Sequence, residues 1–156
     1  MQELALLMAG FALMGAVAPR PTWALTQNWG TEEKSVWKII EDHWAYLTSG
    51  DIEKFLTYLH PKFTGFGHES PLMIDKESIV KWVGIWIKNV KIPIHELDPI
   101  RVSVYGDFAV VHYYIQTLEK GEAKTERVIR RYTTTLINEK GKWSIIGNHN
   151  ERIHGW

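Results

Sequence analysis

Apolar positions recur at helical spacing through the first half of the chain's central region and at strand spacing through the second. Trp37, Ile40, Trp44 and Leu47 fall on one face of a helix that Thr31 caps and Gly50 ends, with Glu32 and Glu33 in its first turn complementing the helix dipole. Asp51 caps a second, shorter helix with Ile52, Phe55, Leu56 and Leu59 on its stripe, and Pro61 stops it. Phe63 to Gly67 reads as a short strand, Ser70-Pro71 as a turn, and Asp75 as the cap of a third helix striped by Ile79, Trp82, Val83, Trp86 and Val90. After Pro93 the period changes to extended runs. Ile100 to Tyr105, Phe108 to Leu118, Thr125 to Asn138 and Lys142 to Asn150 are four strands, joined at Gly106-Asp107, Lys120-Gly121-Glu122 and Lys140-Gly141. Such short links make neighbouring strands antiparallel. The pattern predicts an α+β domain in which three N-terminal helices cover one face of a curved sheet.

The first two dozen residues break from this pattern. Leu4 to Ala18, LALLMAGFALMGAVA, is uncharged and apolar, and Pro19-Arg20-Pro21 follows it. The run is shorter than the about 20 residues a membrane span needs, and the small residues Thr22 and Ala24 permit cleavage before Leu25. The expectation is a signal peptide at 1–24, a single mature domain at 25–156, no stable membrane span, and a periplasmic or secreted location. The leading MQE departs from the usual signal in carrying Glu3 and no Lys or Arg, so retention as a short anchor is the alternative.

Composition narrows the chemistry. The chain of 156 residues suits one domain. Eighteen basic and eighteen acidic residues cancel, and without a basic surface nucleic acid is not an expected partner. The absence of cysteine removes disulfides, thiol catalysis and thiolate metal sites. Seven histidines include no pair at i, i+4 and no HxH, so no metal and no cofactor is expected, although His149, Glu151 and His154 would converge if the tail folded back. GFGHES lacks the GxSxG elbow of nucleophilic hydrolases.

Four local patterns follow one another in a recognisable order: helix-Gly-Asp-helix at Gly50-Asp51, HPKFTGFG from His60, YGDFAVV from Tyr105, and GKW at Gly141 to Trp143. Over roughly Thr31 to Ile153 this order resembles the nuclear transport factor 2-like (NTF2-like) superfamily, in particular its SnoaL-like and DUF4440-type bacterial members. The resemblance implies a cone: a strongly bent antiparallel sheet wrapped around a long helix and open at one end into an apolar pocket. The superfamily holds isomerases, dehydratases, epoxide hydrolases, polyketide cyclases, kinase association domains and non-catalytic transport factors, so fold alone does not settle function.

Strand alternation predicts what lines the cone. Ala109, Val111, Tyr113 and Ile115 share one face of their strand and point inward, leaving His112 and Tyr114 outside. In the next strand the resemblance places Arg131 inside, with Thr133 on the same face, to meet a ligand or to pair with Asp42 or Glu126. Outward His112, Tyr114 and Tyr132 suit a homodimer through the sheet. Trp82 and Trp86 pack the third helix against the sheet or wall the pocket. Asn148, His149 and Asn150 end the last strand and alternate, so either the asparagines line the cone and His149 serves the interface, or the reverse.

Aligned on Gly50-Asp51, the general base of the superfamily's steroid isomerases falls on Gly67 and its tyrosine on His43, with His68, Glu69 and Tyr46 close by. Both roles are vacant as written. The leading expectation is therefore a domain that binds a small, partly apolar molecule through Tyr113, Arg131, Thr133, Asn148, His149, Asn150, Trp82 and Trp86. The rival is a cofactor-independent dehydratase, isomerase or cyclase using His43 or His149 as general base, and a third possibility is a structural dimerisation module. N-terminal sequencing of the exported protein is expected to begin at Leu25; an intact Met1 overturns cleavage.

Overall fold

The computed structural model of the chain describes residues 28–67 and 71–153. The expected leader at 1–24, the expected cleavage before Leu25, and His68, Glu69, Ser70 and His154 lie outside the described residues. The domain is α+β, as the residue pattern predicts. Helices α1 (Thr31–Ser49), α2 (Ile52–Thr57) and α3 (Lys76–Asn89) interleave with β1 (Leu59–Phe66) and β2 (Ile74–Asp75), and β3 (Lys91–Tyr105), β4 (Phe108–Lys120), β5 (Thr125–Glu139) and β6 (Lys142–Arg152) follow. One six-stranded sheet runs in the order β2-β1-β6-β5-β4-β3, antiparallel throughout except for the parallel pair β1 and β6.

The helices end where the residue chemistry demands. Gly50 takes the left-handed conformation at φ 81°, and the N–H of Asp51 returns to the carbonyl of Tyr46 at 2.9 Å, closing α1. The Asp51 carboxylate accepts from the backbone N–H of Lys54 and that of Asp75 from Ser78, so both predicted caps form. Thr31 is instead the first residue of α1, with Gly30 in the cap position.

Two boundaries differ from those the residue pattern predicts. α2 stops at Thr57, and Leu59 and Pro61 belong to β1, where the pairing with β6 shifts register between Leu59 and Thr64. β3 begins well before Ile100 and contains Pro93 and Pro99, each beside a register shift. It is an edge strand, so a proline that cannot donate leaves no ladder bond broken on its free side.

The core lies between α1 and the inner face of the sheet. Val36, Trp37, Ile40, Trp44 and Leu47 meet Ala109, Val111, Tyr113, Ile115, Leu136 and Ile145 in one buried cluster. α3 is held more lightly: of its stripe only Val83 is buried, while Trp82 remains 55% exposed. Leu136 is completely buried at the centre of the cluster. Leu136→Ala is expected to lower the unfolding free energy by about 2–5 kcal/mol, read from urea denaturation followed by circular dichroism.

Candidate binding cavity

The inner row of each strand is set by its neighbour. Directly opposed residues in an antiparallel pair share a face, and β4 pairs with β5 as Ala109 with Leu136, Val111 with Thr134, Tyr113 with Tyr132 and Ile115 with Arg130. The row of β4 therefore carries Thr134, Tyr132 and Arg130 inward with it. β5 pairs these in turn with Asn148, Asn150 and Arg152 of β6. Together with His43, Trp44 and Leu47 of α1, Phe55 of α2 and one face of α3, they enclose a cavity of about 640 Å³.

This arrangement corrects the sequence-based placement of three β5 residues. Arg131 and Thr133 are on the outer face: Arg131 is 62% exposed and pairs with Glu151, neither Asp42 nor Glu126, while Thr133 Oγ1 meets His112 Nδ1 at 3.0 Å. Tyr132, expected outside, points in. The cause is register, since Arg131 opposes outward Tyr114. The last strand takes the first of its two possible faces, with Asn148 and Asn150 lining the cavity and His149 exposed outside it. Tyr113, Trp82 and Trp86 line the cavity as well. The two indoles stack at 5.4 Å between centroids, forming a flat wall beside Ser78 and Ile79.

Polarity is graded along the strands. At the inner end, Leu136, Ile145 and Val83 are fully or almost fully buried. Midway, the Trp44 indole N–H donates to Tyr113 Oη at 3.1 Å, and Thr134 Oγ1 donates to the same oxygen at 3.5 Å. Tyr132 stacks on Tyr113 at 5.1 Å, with Trp44 edge-on to it at 5.5 Å. Burial raises the Tyr113 phenol to about 12 and pushes the Tyr132 phenol up as well, so both keep their protons at neutral pH. Beyond them Arg130 pairs with Glu119, their side chains only 14% and 11% exposed, and Glu119 also accepts from Thr117 Oγ1. Arg152 pairs with Glu126 at 3.3 Å. Lys124 first, then Arg152, hold the Glu126 carboxyl below its usual range.

Two buried side-chain polar atoms have no hydrogen-bond partner among the described residues, His43 Nδ1 and Asn148 Oδ1, and both residues line this one cavity. His43 lies flat against Phe55, ring centroids 4.2 Å apart. Burial lowers its pKa to about 3, opposed only by a backbone hydrogen bond at Phe55, so the imidazole is neutral at physiological pH. Asn148 Oδ1 sits over Gly65 of the parallel strand, where a Cβ would come within 2.3 Å of it. Only glycine leaves room there for the amide.

Residue-by-residue reading missed Arg130, Glu119, Arg152, Glu126, Trp44 and Thr134 as lining residues. The signal that finds the strand residues is the 120-to-125 hairpin, since opposing Lys120 to Thr125 puts Tyr113 opposite Tyr132. Gly67 lines the cavity where the isomerase alignment puts a general base, and it carries no side chain to serve as one. Among the described residues no group of three His, Asp or Glu side chains is placed to hold a metal ion, and no helix is long and apolar enough to cross a membrane.

The SnoaL-like domain model matches residues 32–150, most of the chain and every residue lining the cavity except Arg152. The chain belongs to the SnoaL-like domain family. No curated protein matches it. Among solved structures, this SnoaL-like domain is similar to a ketosteroid isomerase-like protein from Erwinia carotovora atroseptica, with a TM-score of 0.72 at 13% identity over 81% of this chain and 100% of that one. It is similar also to an NTF2-like protein from Cytophaga hutchinsonii, with a TM-score of 0.69 at 15% identity over 80% of this chain and 100% of the other. It is similar, too, to a CaMKII hub homology domain from Chlamydomonas reinhardtii, with a TM-score of 0.65 at 18% identity over 80% of this chain and 100% of that one. These likenesses establish an NTF2-like fold.

The neutral buried histidine makes stability depend on pH with a definite sign. Below its ordinary value of 6.5 the unfolded chain protonates His43 while the folded chain does not until about pH 3. Its contribution therefore penalises folding progressively as pH falls through that window. His43→Phe keeps a ring on Phe55 and removes the titration, so its urea midpoint is expected to fall less than the wild type's between pH 6.5 and 3.5. Parallel profiles would contradict a neutral His43.

Proposed function

We propose that this SnoaL-like domain is an exported, homodimeric binding module that holds a small, partly apolar molecule in the cavity between α1, α3 and the sheet. The observation that carries the reading is the concentration of both orphaned polar atoms, His43 Nδ1 and Asn148 Oδ1, in one largely apolar cavity of about 640 Å³. That volume is within the roughly 300–1,000 Å³ usual for small-molecule sites. An unmet buried polar group costs about 1–3 kcal/mol, and a ligand that supplies the missing hydrogen bonds recovers it. Trp82 and Trp86 offer a flat apolar wall for a ring or acyl portion.

The enzyme reading is weaker on these residues. His149 faces away from the cavity, and His43, held near a pKa of 3, is a poor general base at neutral pH. The ketosteroid isomerase-like neighbour keeps isomerisation within the fold's reach, but Gly67 at the expected base position gives it no support here. Export rests on the apolar leader at Leu4 to Ala18. Dimerisation rests on the outer sheet face, where His112, Tyr114 and His149 present amphipathic rings.

Native mass spectrometry of protein purified from its own host is expected to show a dimer carrying one additional small mass per subunit. Ile79→Trp, which fills the cavity beside the indole wall, is expected to lose that mass while melting within a few degrees of the wild type. An added mass that persists in Ile79→Trp places the ligand elsewhere, and a monomer contradicts the dimer.

A further inference from the structure

Four groups of this cavity decide what kind of molecule it accepts, and this inference rests on the binding reading above. The first is the pair of tyrosines. Tyr113 Oη accepts from the Trp44 indole N–H at 3.1 Å and lies 3.5 Å from Thr134 Oγ1, a long contact between two hydroxyls. The indole N–H cannot take the phenol proton, and Tyr113 lines the cavity. The stacked Tyr132 and the edge-on Trp37, at 5.9 Å, hold the ring in that orientation. The hydroxyl is thus held at the cavity wall with a proton that Thr134 Oγ1, at 3.5 Å, engages only weakly.

The second group is Asn148. Its Oδ1 is buried and unpartnered above Gly65, an acceptor awaiting a donor. His43 Nδ1 is likewise unpartnered, on a residue more than nine-tenths buried in the same cavity, and as a neutral imidazole nitrogen it donates or accepts according to tautomer. The remaining groups are the charges. Each cation lining the cavity meets a carboxylate, Arg130 with Glu119 and Arg152 with Glu126, which Lys124 outside the lining shares, so the four charges that line the cavity sum to zero. A ligand anion would have to displace Glu119 from Arg130 and leave a carboxylate almost buried and unpaired, while a ligand cation would strand the arginine.

We infer that the cavity selects an uncharged molecule with a hydrogen-bond acceptor for the Tyr113 hydroxyl and a donor for Asn148 Oδ1, and rejects the corresponding carboxylic acids and amines. A primary amide, or a ring carrying both a carbonyl and a hydroxyl, meets that description. Tyr113 is the binding residue that enforces it, backed by Trp44 and Thr134.

Four naphthalene probes of one shape separate the possibilities at pH 7.5: naphthalene-2-carboxamide, naphthalene-2-carboxylate, 2-naphthylmethylammonium and 2-methylnaphthalene, each titrated by calorimetry into the full-length protein. The carboxamide is expected to bind at least tenfold more tightly than either charged probe. Tyr113→Phe and, independently, Asn148→Ala are each expected to weaken the carboxamide roughly three- to tenfold, the worth of one neutral hydrogen bond, and to leave 2-methylnaphthalene unchanged. The apolar probe also reports whether each variant keeps a formed cavity. A carboxylate or ammonium that binds as well as the amide overturns the inference while leaving the cavity reading intact. So does a carboxamide affinity unchanged in both variants. Failure of all four probes to bind the wild type up to their solubility overturns the cavity reading itself.

Discussion

Trp44 of α1 meets Tyr113 of β4 and Tyr132 of β5 in one aromatic junction, and both the fold and the cavity depend on it. The junction buries large apolar area where the long helix crosses the sheet, which is the principal source of stability at that point. Its internal hydrogen bond, indole N–H to phenol oxygen, gives the Trp44 donor the partner that burial would otherwise deny it. The same contact holds the helix against the sheet while the strands continue past it, and the space beyond is the cavity.

Along that space the protein exchanges one kind of satisfaction for another. Apolar side chains fill the inner end, neutral polar groups occupy the middle, and Glu119, Arg130, Glu126 and Arg152 appear where exposure rises. Charges so enclosed are tolerable only as pairs. Neutral groups are not all matched: His43 Nδ1 and Asn148 Oδ1 line the same cavity without partners among the described residues. A polar atom left without a partner inside a folded domain reduces stability, a cost that the proposed ligand would offset.

α3 illustrates the difference between an element that builds the core and one that closes a site. Its stripe of Ile79, Trp82, Val83 and Trp86 has helical spacing as regular as that of α1, yet only Val83 is buried. Trp82 and Trp86 stack on each other and face the cavity, and Ile85 is 66% exposed. An amphipathic stripe states that a helix has an apolar face; it does not state how much of another surface there is to cover it.

Much was legible from local chemistry. Helix faces, the Asp51 and Asp75 caps, the Gly50 stop, the strand turns at Gly106 and Gly141, and the inward row Ala109, Val111, Tyr113 and Ile115 all follow from spacing and from the φ freedom of glycine. The two faces that residues alone did not assign depended on register. Arg131 against Arg130 is decided by which residue β4 sets opposite, a question of hairpin geometry between strands. In β6 the determinant is a bulge. Leu136 faces Ile145 but Thr135 faces Gly147, so Ile146 is an extra residue in the ladder. Without it, simple alternation from the buried Ile145 would turn His149 inward and both asparagines outward. With it, Asn148 and Asn150 enter the cavity and His149 leaves. The sequence by itself determined the elements, their order and the chemistry available at each position, because those depend on neighbours in the chain. Which of those groups meet inside the cavity was decided by the pairing of strands, because a shift of one residue exchanges the two faces of a sheet.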